Sequence, residues 1–215
     1  MILRFVLAAI VLGLFFFLTA GTINYWQAWL YCAVILIPVI FVVAYFLKND
    51  PAFLERRMRM KEKIKQQKQI IKFSTILFAA MFILPGLDIR FGWSNVPSII
   101  SIIANAIVLA SYLFIFLVFK ENTYASRIIE VEKNQKVITT GPYSIVRHPM
   151  YLGVVVMYLA TPIALGSYWA MLLALPIPFM LALRLVNEEK LLLKKLKGYK
   201  QYASKVKYRI IPFIW

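Results

Sequence analysis

Two polar motifs set between apolar runs hold the groups in this chain that can do chemistry. The first is Gly141-Pro142-Tyr143-Ser144-Ile145-Val146-Arg147-His148-Pro149-Met150-Tyr151-Leu152-Gly153, and the second is Arg184-Leu185-Val186-Asn187-Glu188-Glu189. The chain's single histidine, His148, lies in the first. Pro149 suits a first helical position, because its fixed φ and missing N–H cost nothing there. That places His148 at a helix N-terminus, where free N–H groups and the positive dipole end favour a carboxylate or a phosphate. Met150 and Tyr151 fall in the first turn and can contact a flat ring. Arg184 and Glu188 are four residues apart and share a helix face. Arg184 can hold an anionic acceptor, and Glu188 can accept hydrogen bonds from hydroxyls or from an ammonium. Such a pocket suits a zwitterionic cofactor that carries an aromatic ring.

Each group also has a plain structural role. A histidine before a helix can be a cap, and Arg147 can be a topology anchor. Arg184 and Glu188 can simply pair, Glu189 can face water, and Tyr143 and Tyr151 can be interface aromatics. Taken singly, the plain role is the better reading. The combination, in this order and spacing, favours a site.

The elements that must position these groups follow from composition. Of 215 residues, 62% are apolar and 16% charged. A soluble domain runs near half apolar and about a quarter charged. The fold class is therefore all-α, a polytopic membrane protein of about six transmembrane helices. Residues 5–47 carry no Asp, Glu, Lys, Arg or His, and one span needs roughly 20 residues. Two spans are expected, 2–20 and 26–47, turning at Gly21-Thr22-Ile23-Asn24. Trp26 and Trp29 stand as interface anchors. The first run is too long for a signal peptide and no small-residue cleavage site follows it, so it reads as a retained span. Residues 48–72 hold nine basic residues. Asn49-Asp50-Pro51 predicts a helix start there, interfacial or cytosolic, in a solvated basic loop.

Span three covers 70–87 and is expected to close at Pro85-Gly86, with Asp88 and Arg90 in a short loop. Span four covers 96–119, and 120–148 is a polar segment. Residues 149–183 contain no Asp, Glu, Lys, Arg or His. They form a C-terminal helical hairpin, spans 149–165 and 168–186, joined at Gly166-Ser167. A seventeen-residue span gives roughly 25 Å, short for a straight crossing. Pro162, Pro176 and Pro178 predict bends, with neighbouring helices satisfying the freed backbone groups. Residues 187–215 form a basic tail with leucines at helical spacing. The chain divides into N-terminal spans with a basic loop, 1–119, and a site-bearing region, 120–215, with hairpin 149–186 and the tail.

The formal net charge is +16. With the N-terminus in the cytosol and six crossings, every basic residue except Arg90 falls on the cytosolic side, as the positive-inside rule requires. Both motifs then face the cytosol. Membrane orientation accounts for the charge, and no nucleic-acid partner is expected. One cysteine, Cys32, and one histidine are too few for a protein-built metal or haem site. Compactness points to a prokaryotic cytoplasmic membrane.

At the motifs the sequence resembles the isoprenylcysteine carboxyl methyltransferases and their relatives, the integral-membrane phospholipid methyltransferases. The resemblance covers roughly residues 118–215. It rests on Asn122, the run Gln135-Lys136-Val137-Ile138-Thr139-Thr140-Gly141-Pro142-Tyr143, then Arg147-His148-Pro149-Met150-Tyr151, Arg184-x-x-x-Glu188-Glu189, Gly198-Tyr199-x-x-Tyr202 and Arg209-x-x-Pro212-Phe213. It implies a transferase that binds S-adenosyl-L-methionine in cytosolic cofactor-binding segments. By matching positions, Gln135, Lys136, Val137 and Ile138 line the cofactor with backbone groups. Tyr143, His148, Pro149, Met150 and Tyr151 form the rest of the pocket. Glu188, followed by Glu189, binds from the other side, and Arg184 serves catalysis beside the acceptor. The carboxyl methyltransferases carry His where Gln135 stands here. The implied partner is a lipophilic or lipid-like small molecule that enters from the bilayer.

Two rival classes share some of these features. NADPH-dependent membrane reductases of the sterol-reductase type carry a related C-terminal pattern, although this chain's shortness favours a methyltransferase. A transporter or scaffold could line a polar pathway with Arg184 and Glu188. Against it, the ionisable residues gather at one face.

Overall fold

The computed structural model is helical and describes residues 2–59 and 65–215, with the side chains of residues 7, 9–59 and 69–215. In chain order, α1 (Ile2–Gly13) runs into a π-helical turn (Leu14–Leu18), followed by α2 (Trp26–Asn49), α3 (Pro51–Met58), α4 (Lys65–Phe91) and α5 (Ser98–Glu121). A 3-10 turn (Gly141–Ser144) precedes α6 (Pro149–Ala164), α7 (Met171–Ala174), α8 (Ile177–Lys195) and α9 (Tyr199–Lys205). No strand occurs among the described residues. Trp26–Asn49, Gln69–Phe91, Ser98–Glu121 and Met171–Lys195 are long and apolar enough to cross a bilayer, and Ala9–Leu18 and Pro149–Ala164 are shorter apolar helices. These six stretches stand where the six spans were expected. The chain is a multi-pass integral membrane protein.

By chain, two compact units are distinguished. Unit one comprises Met1–Ile40, Phe73–Tyr112 and Val156–Ile177. Phe16, Tyr25, Tyr31, Val108 and Leu165 form its buried core. Here one expectation is corrected. Pro85-Gly86 does not close a helix, since α4 continues through both to Phe91. Gly86 serves close approach instead. A Cβ there would stand 1.8 Å from Thr19 Oγ1 and 2.9 Å from the Phe16 carbonyl. Asp88 is thus a residue of the last turn, fully buried, not a loop residue. The dipole disfavours a carboxylate at a helix C-terminus. Hydrogen bonds compensate: Asp88 accepts from Ser94 N at 2.6 Å, Ser94 Oγ at 2.7 Å and the Ser167 hydroxyl.

The short α6 ends inside this unit. Ser167 N donates to Pro162 O at 2.9 Å and Gly166 N to Ile163 O at 3.0 Å. With Gly166 at φ +80°, this is a Schellman stop. It leaves the Ala164 and Leu165 carbonyls without intrahelical partners. Side chains from α5 and from the residue that precedes α2 supply them. Asn105 Nδ2 donates to Ala164 O at 3.0 Å, and Tyr25 Oη to Leu165 O at 2.5 Å.

Unit two comprises Phe41–Lys72, Leu113–Val155 and Pro178–Trp215. The Asn-Asp-Pro signal starts α3 as predicted, with Asp50 Oδ1 accepting from Phe53 N at 3.0 Å. Phe53 is buried between Phe46 and Phe119, with ring centroids 4.1 Å and 5.1 Å away. The solvated basic loop is corrected in part. Arg56 Nε donates to Thr123 O at 2.8 Å, Arg57 Nη1 to Ser126 O at 3.2 Å, and Arg59 Nη1 engages Glu130 and Glu132. These arginines hold the irregular segment 122–132, whose carbonyls have no regular partners of their own. Lys61 and Lys63 of that loop lie outside the described residues. α8 runs to Lys195, so the helix that carries Arg184, Glu188 and Glu189 continues past the expected end of the span at 186.

Candidate functional site

The site is built within unit two, around the start of α6. Pro149 takes the first helical position as expected, and His148 precedes it. The main chain there is already engaged. Arg147 N donates to Tyr208 O at 2.9 Å and His148 N to Arg209 O at 2.8 Å. The expectation of free N–H groups awaiting an anion is corrected to that extent, because the C-terminal tail supplies carbonyls to both. Tyr151 N turns back to His148 O at 3.1 Å.

On α8 the helical spacing separates three side chains. Glu188 Oε2 accepts from Tyr151 Oη at 2.6 Å. The Arg184 guanidinium is the other charged neighbour of that hydroxyl, and its Nη2 donates to Arg127 O at 2.6 Å. Glu189 turns the other way. Its Oε2 accepts from Arg209 Nε at 2.7 Å, and its Oε1 lies 2.6 Å from Arg147 Nε. The latter N–H points off the line between the atoms, so this contact is an ion pair and not a hydrogen bond. His148 Nε2 stands 3.5 Å from the same oxygen and 3.3 Å from Tyr199 Oη. The Arg147 and Glu189 side chains are only 9% and 6% exposed. Removing either partner would therefore strand a buried charge.

A tyrosine layer closes the other side. Tyr202 Oη donates to Tyr143 O at 2.7 Å, and Asn122 Nδ2 donates to Tyr143 Oη at 3.0 Å. Burial pushes the Tyr143 phenol well above its ordinary value. Burial does the same to Tyr199, with the Glu189 and Glu188 charges adding to it. Tyr202 is pushed up to about 12, again by burial, against the opposing Arg147 charge. These phenols stay protonated at neutral pH and serve as fixed donors.

The structure brings His148, Tyr151, Arg184, Glu188 and Glu189 together, with Pro149 and Met150 beside them. Met150 packs on the buried Tyr151–Leu185–Ile210 cluster. Tyr143 joins through Tyr202. Val137 packs against the Tyr199–Tyr202 cluster. Gln135 folds onto its own turn, its Oε1 accepting from Glu132 N at 2.9 Å. Lys136 is exposed and Ile138 half-buried. Among the described residues no hydrogen bond joins Gln135, Lys136 or Ile138 to His148, Tyr151 or Glu188. Reasoning from residue types missed Arg147 and Arg209 as working parts. The only trace of Arg209's role is its place in the Arg209-x-x-Pro212-Phe213 run.

The arrangement presents an acidic oxygen, protonated phenols, aromatic faces and a guanidinium within one unit. It can hold a zwitterion and an anionic or polar acceptor group. No curated protein matches the chain. Residues 99–199 match the model of one family, described as phospholipid methyltransferase. That stretch holds α5, the irregular segment, α6 and the whole of α8, and so every side chain of the site except Arg209 and Tyr202. Over residues 99–199, just under half of its length, the chain is thus similar to the phospholipid methyltransferases.

Proposed function

We propose that the chain is an S-adenosyl-L-methionine-dependent methyltransferase acting on a lipophilic or amphiphilic acceptor at the cytosolic membrane interface. The acceptor is isoprenylcysteine-carboxylate-like or lipid-like. The observation that carries the reading is the Tyr151–Glu188–Arg184 arrangement inside the family segment. Glu188 commits one oxygen to the Tyr151 hydroxyl, 2.6 Å away, and its Oε1 has no hydrogen bond or ion pair among the described residues. A half-buried carboxylate with one oxygen to spare suits the ammonium of the cofactor. That oxygen, the protonated phenols and the aromatic faces fit a polar ligand with an adenine ring.

Glu188 takes the cofactor's cation. Tyr143, His148, Pro149, Met150 and Tyr151 line its ring and ribose, and the backbone of Gln135 to Ile138 closes the rim. When bound, the cofactor supplies a methyl group already activated by a positive sulfur. The chain's own residues then have to orient and exclude water. Alignment of this kind supplies up to about 7–11 kcal/mol in ideal systems. Arg184 holds an acidic or polar acceptor against the Tyr151 side of the pocket. Residues 120–215 bind the cofactor, while walls for the acceptor come from 1–119. Both termini lie in the cytosol, and the membrane is a prokaryotic cytoplasmic one.

The test is isothermal titration of the full chain in detergent with S-adenosylhomocysteine and, separately, NADPH. Binding of the first alone is expected. Binding of NADPH alone moves the protein to the reductases, and binding of neither by folded protein removes the cofactor assignment.

A further inference from the structure

We infer that Glu189 and the C-terminal segment 208–215 form a lock that sets the start of α6, with Glu189 a positioning residue and not a cofactor contact. Its consequence for cofactor affinity rests on the methyltransferase reading, while its geometry does not.

Glu188 and Glu189 are adjacent on α8 and meet different surroundings. Glu189 is 5% exposed and both its oxygens are engaged, Oε2 by Arg209 and Oε1 by Arg147 and His148. Oε1 accepts no hydrogen bond but is enclosed beside Arg147 and His148, so neither oxygen is open to a ligand's ammonium. The groups it gathers come from two separate segments, the entry to α6 and the tail.

The chain from Ala203 onward binds back in three further ways. Its Tyr208 and Arg209 carbonyls accept the Arg147 and His148 amides at 2.9 and 2.8 Å. Arg147 Nη1 donates to Ala203 O at 3.2 Å and Val206 O at 3.1 Å. Ile210 is buried with Tyr151 and Leu185. The tail is itself a formed structure. The amides of Arg209, Ile210 and Ile211 converge on Trp215 O at 2.8, 3.0 and 3.2 Å, and the Arg209 guanidinium lies over the Trp215 ring, 5.3 Å from its centroid.

Main chain, charge and apolar contact thus meet at one buried carboxylate. The same carboxylate faces His148, whose ring packs edge-on against Tyr151 at 5.9 Å, and Tyr151 in turn holds Glu188. Loosening the Glu189–Arg209 link therefore reaches Glu188 through His148 and Tyr151.

Arg209 is the side to probe, because its side chain is 36% exposed and its replacement strands less buried charge than loss of Arg147. The experiment compares the full-length wild type, R209Q, R209K, E189Q and the E189Q/R209Q double variant in detergent, well below their melting temperatures. Hydrogen exchange at the Arg147 and His148 amides reports the lock. Titration with S-adenosylhomocysteine reports the pocket. R209Q is expected to speed exchange at those two amides about tenfold or more and to weaken affinity about tenfold. R209K keeps both near wild type, and the double variant binds no worse than E189Q, because one interaction is lost once.

Wild-type exchange in R209Q overturns the lock. Faster exchange with wild-type affinity overturns the positioning role. Weak binding by E189Q with unchanged exchange makes Glu189 a direct contact and also overturns it. If the wild type binds no S-adenosylhomocysteine, the methyltransferase reading fails separately, and the exchange data alone decide the lock.

Discussion

At the scale of single residues, the site turns on two neighbouring glutamates whose side chains diverge because a helix rotates about 100° per residue. Glu188 meets the Tyr151 hydroxyl, and Glu189 meets the tail arginine and the entry to α6. A hydrogen bond to a charged group contributes about 1.5–3 kcal/mol when its partner has no substitute donor. Tyr151→Phe keeps the ring in the buried cluster and removes only that donor. S-adenosylhomocysteine affinity is expected to fall about tenfold or more, with the melting temperature close to wild type. Titration calorimetry beside a thermal scan checks both. Undiminished affinity would mean that Glu188 is aimed by the helix alone.

At the scale of elements, the instructive case is α6, sixteen residues long and so roughly 24 Å by helical rise. A helix that stops short within an apolar region must find partners for its last carbonyls. The Schellman stop at Gly166 uses two, and Asn105 and Tyr25 serve the next two. Tyr25→Phe and Asn105→Leu are each expected to cost about 1–3 kcal/mol, the penalty for a buried carbonyl without a donor. Thermal melting in detergent reads this as a lower midpoint for each variant. A midpoint equal to wild type would show that the carbonyl has another donor. The same logic explains the irregular segment 122–132, which α3 holds by its arginines because it has no ladder of its own.

At the scale of the whole molecule, charge governs orientation. Lys190, Lys194, Lys195, Lys197 and Lys200 are all exposed along the end of α8 and the start of α9. None has a carboxylate within ion-pair distance among the described residues. Under the orientation we propose they face the cytosol, and the α4–α5 connection with Asn95 faces the opposite side. In a Cys32→Ser background, Lys200→Cys is expected to resist a membrane-impermeant thiol reagent applied to intact cells. Asn95→Cys is expected to react. Labelling with the reverse pattern would invert the topology and move the site away from the cytosolic cofactor pool.

Much of this protein was legible in its sequence, for a physical reason. Hydrocarbon demands long apolar runs with self-satisfied backbones, so the spans, the turn at Gly21, the α3 cap at Asp50 and Pro149 as a first helical residue are all local signals. Tertiary structure alone decided what distant residues share. Gly86 looked like a helix stop because sequence does not show that Thr19 lies against it. Asp88 looked like a loop residue because its serine partners are six and 79 positions away. Nothing in the sequence shows that the oxygens of Glu189 meet groups brought in by the tail and by the entry to α6, because contacts at such separations leave no period to read. Composition and spacing select the elements and the types of group. Which carboxylate remains available for a ligand is set only when the chain folds back on itself.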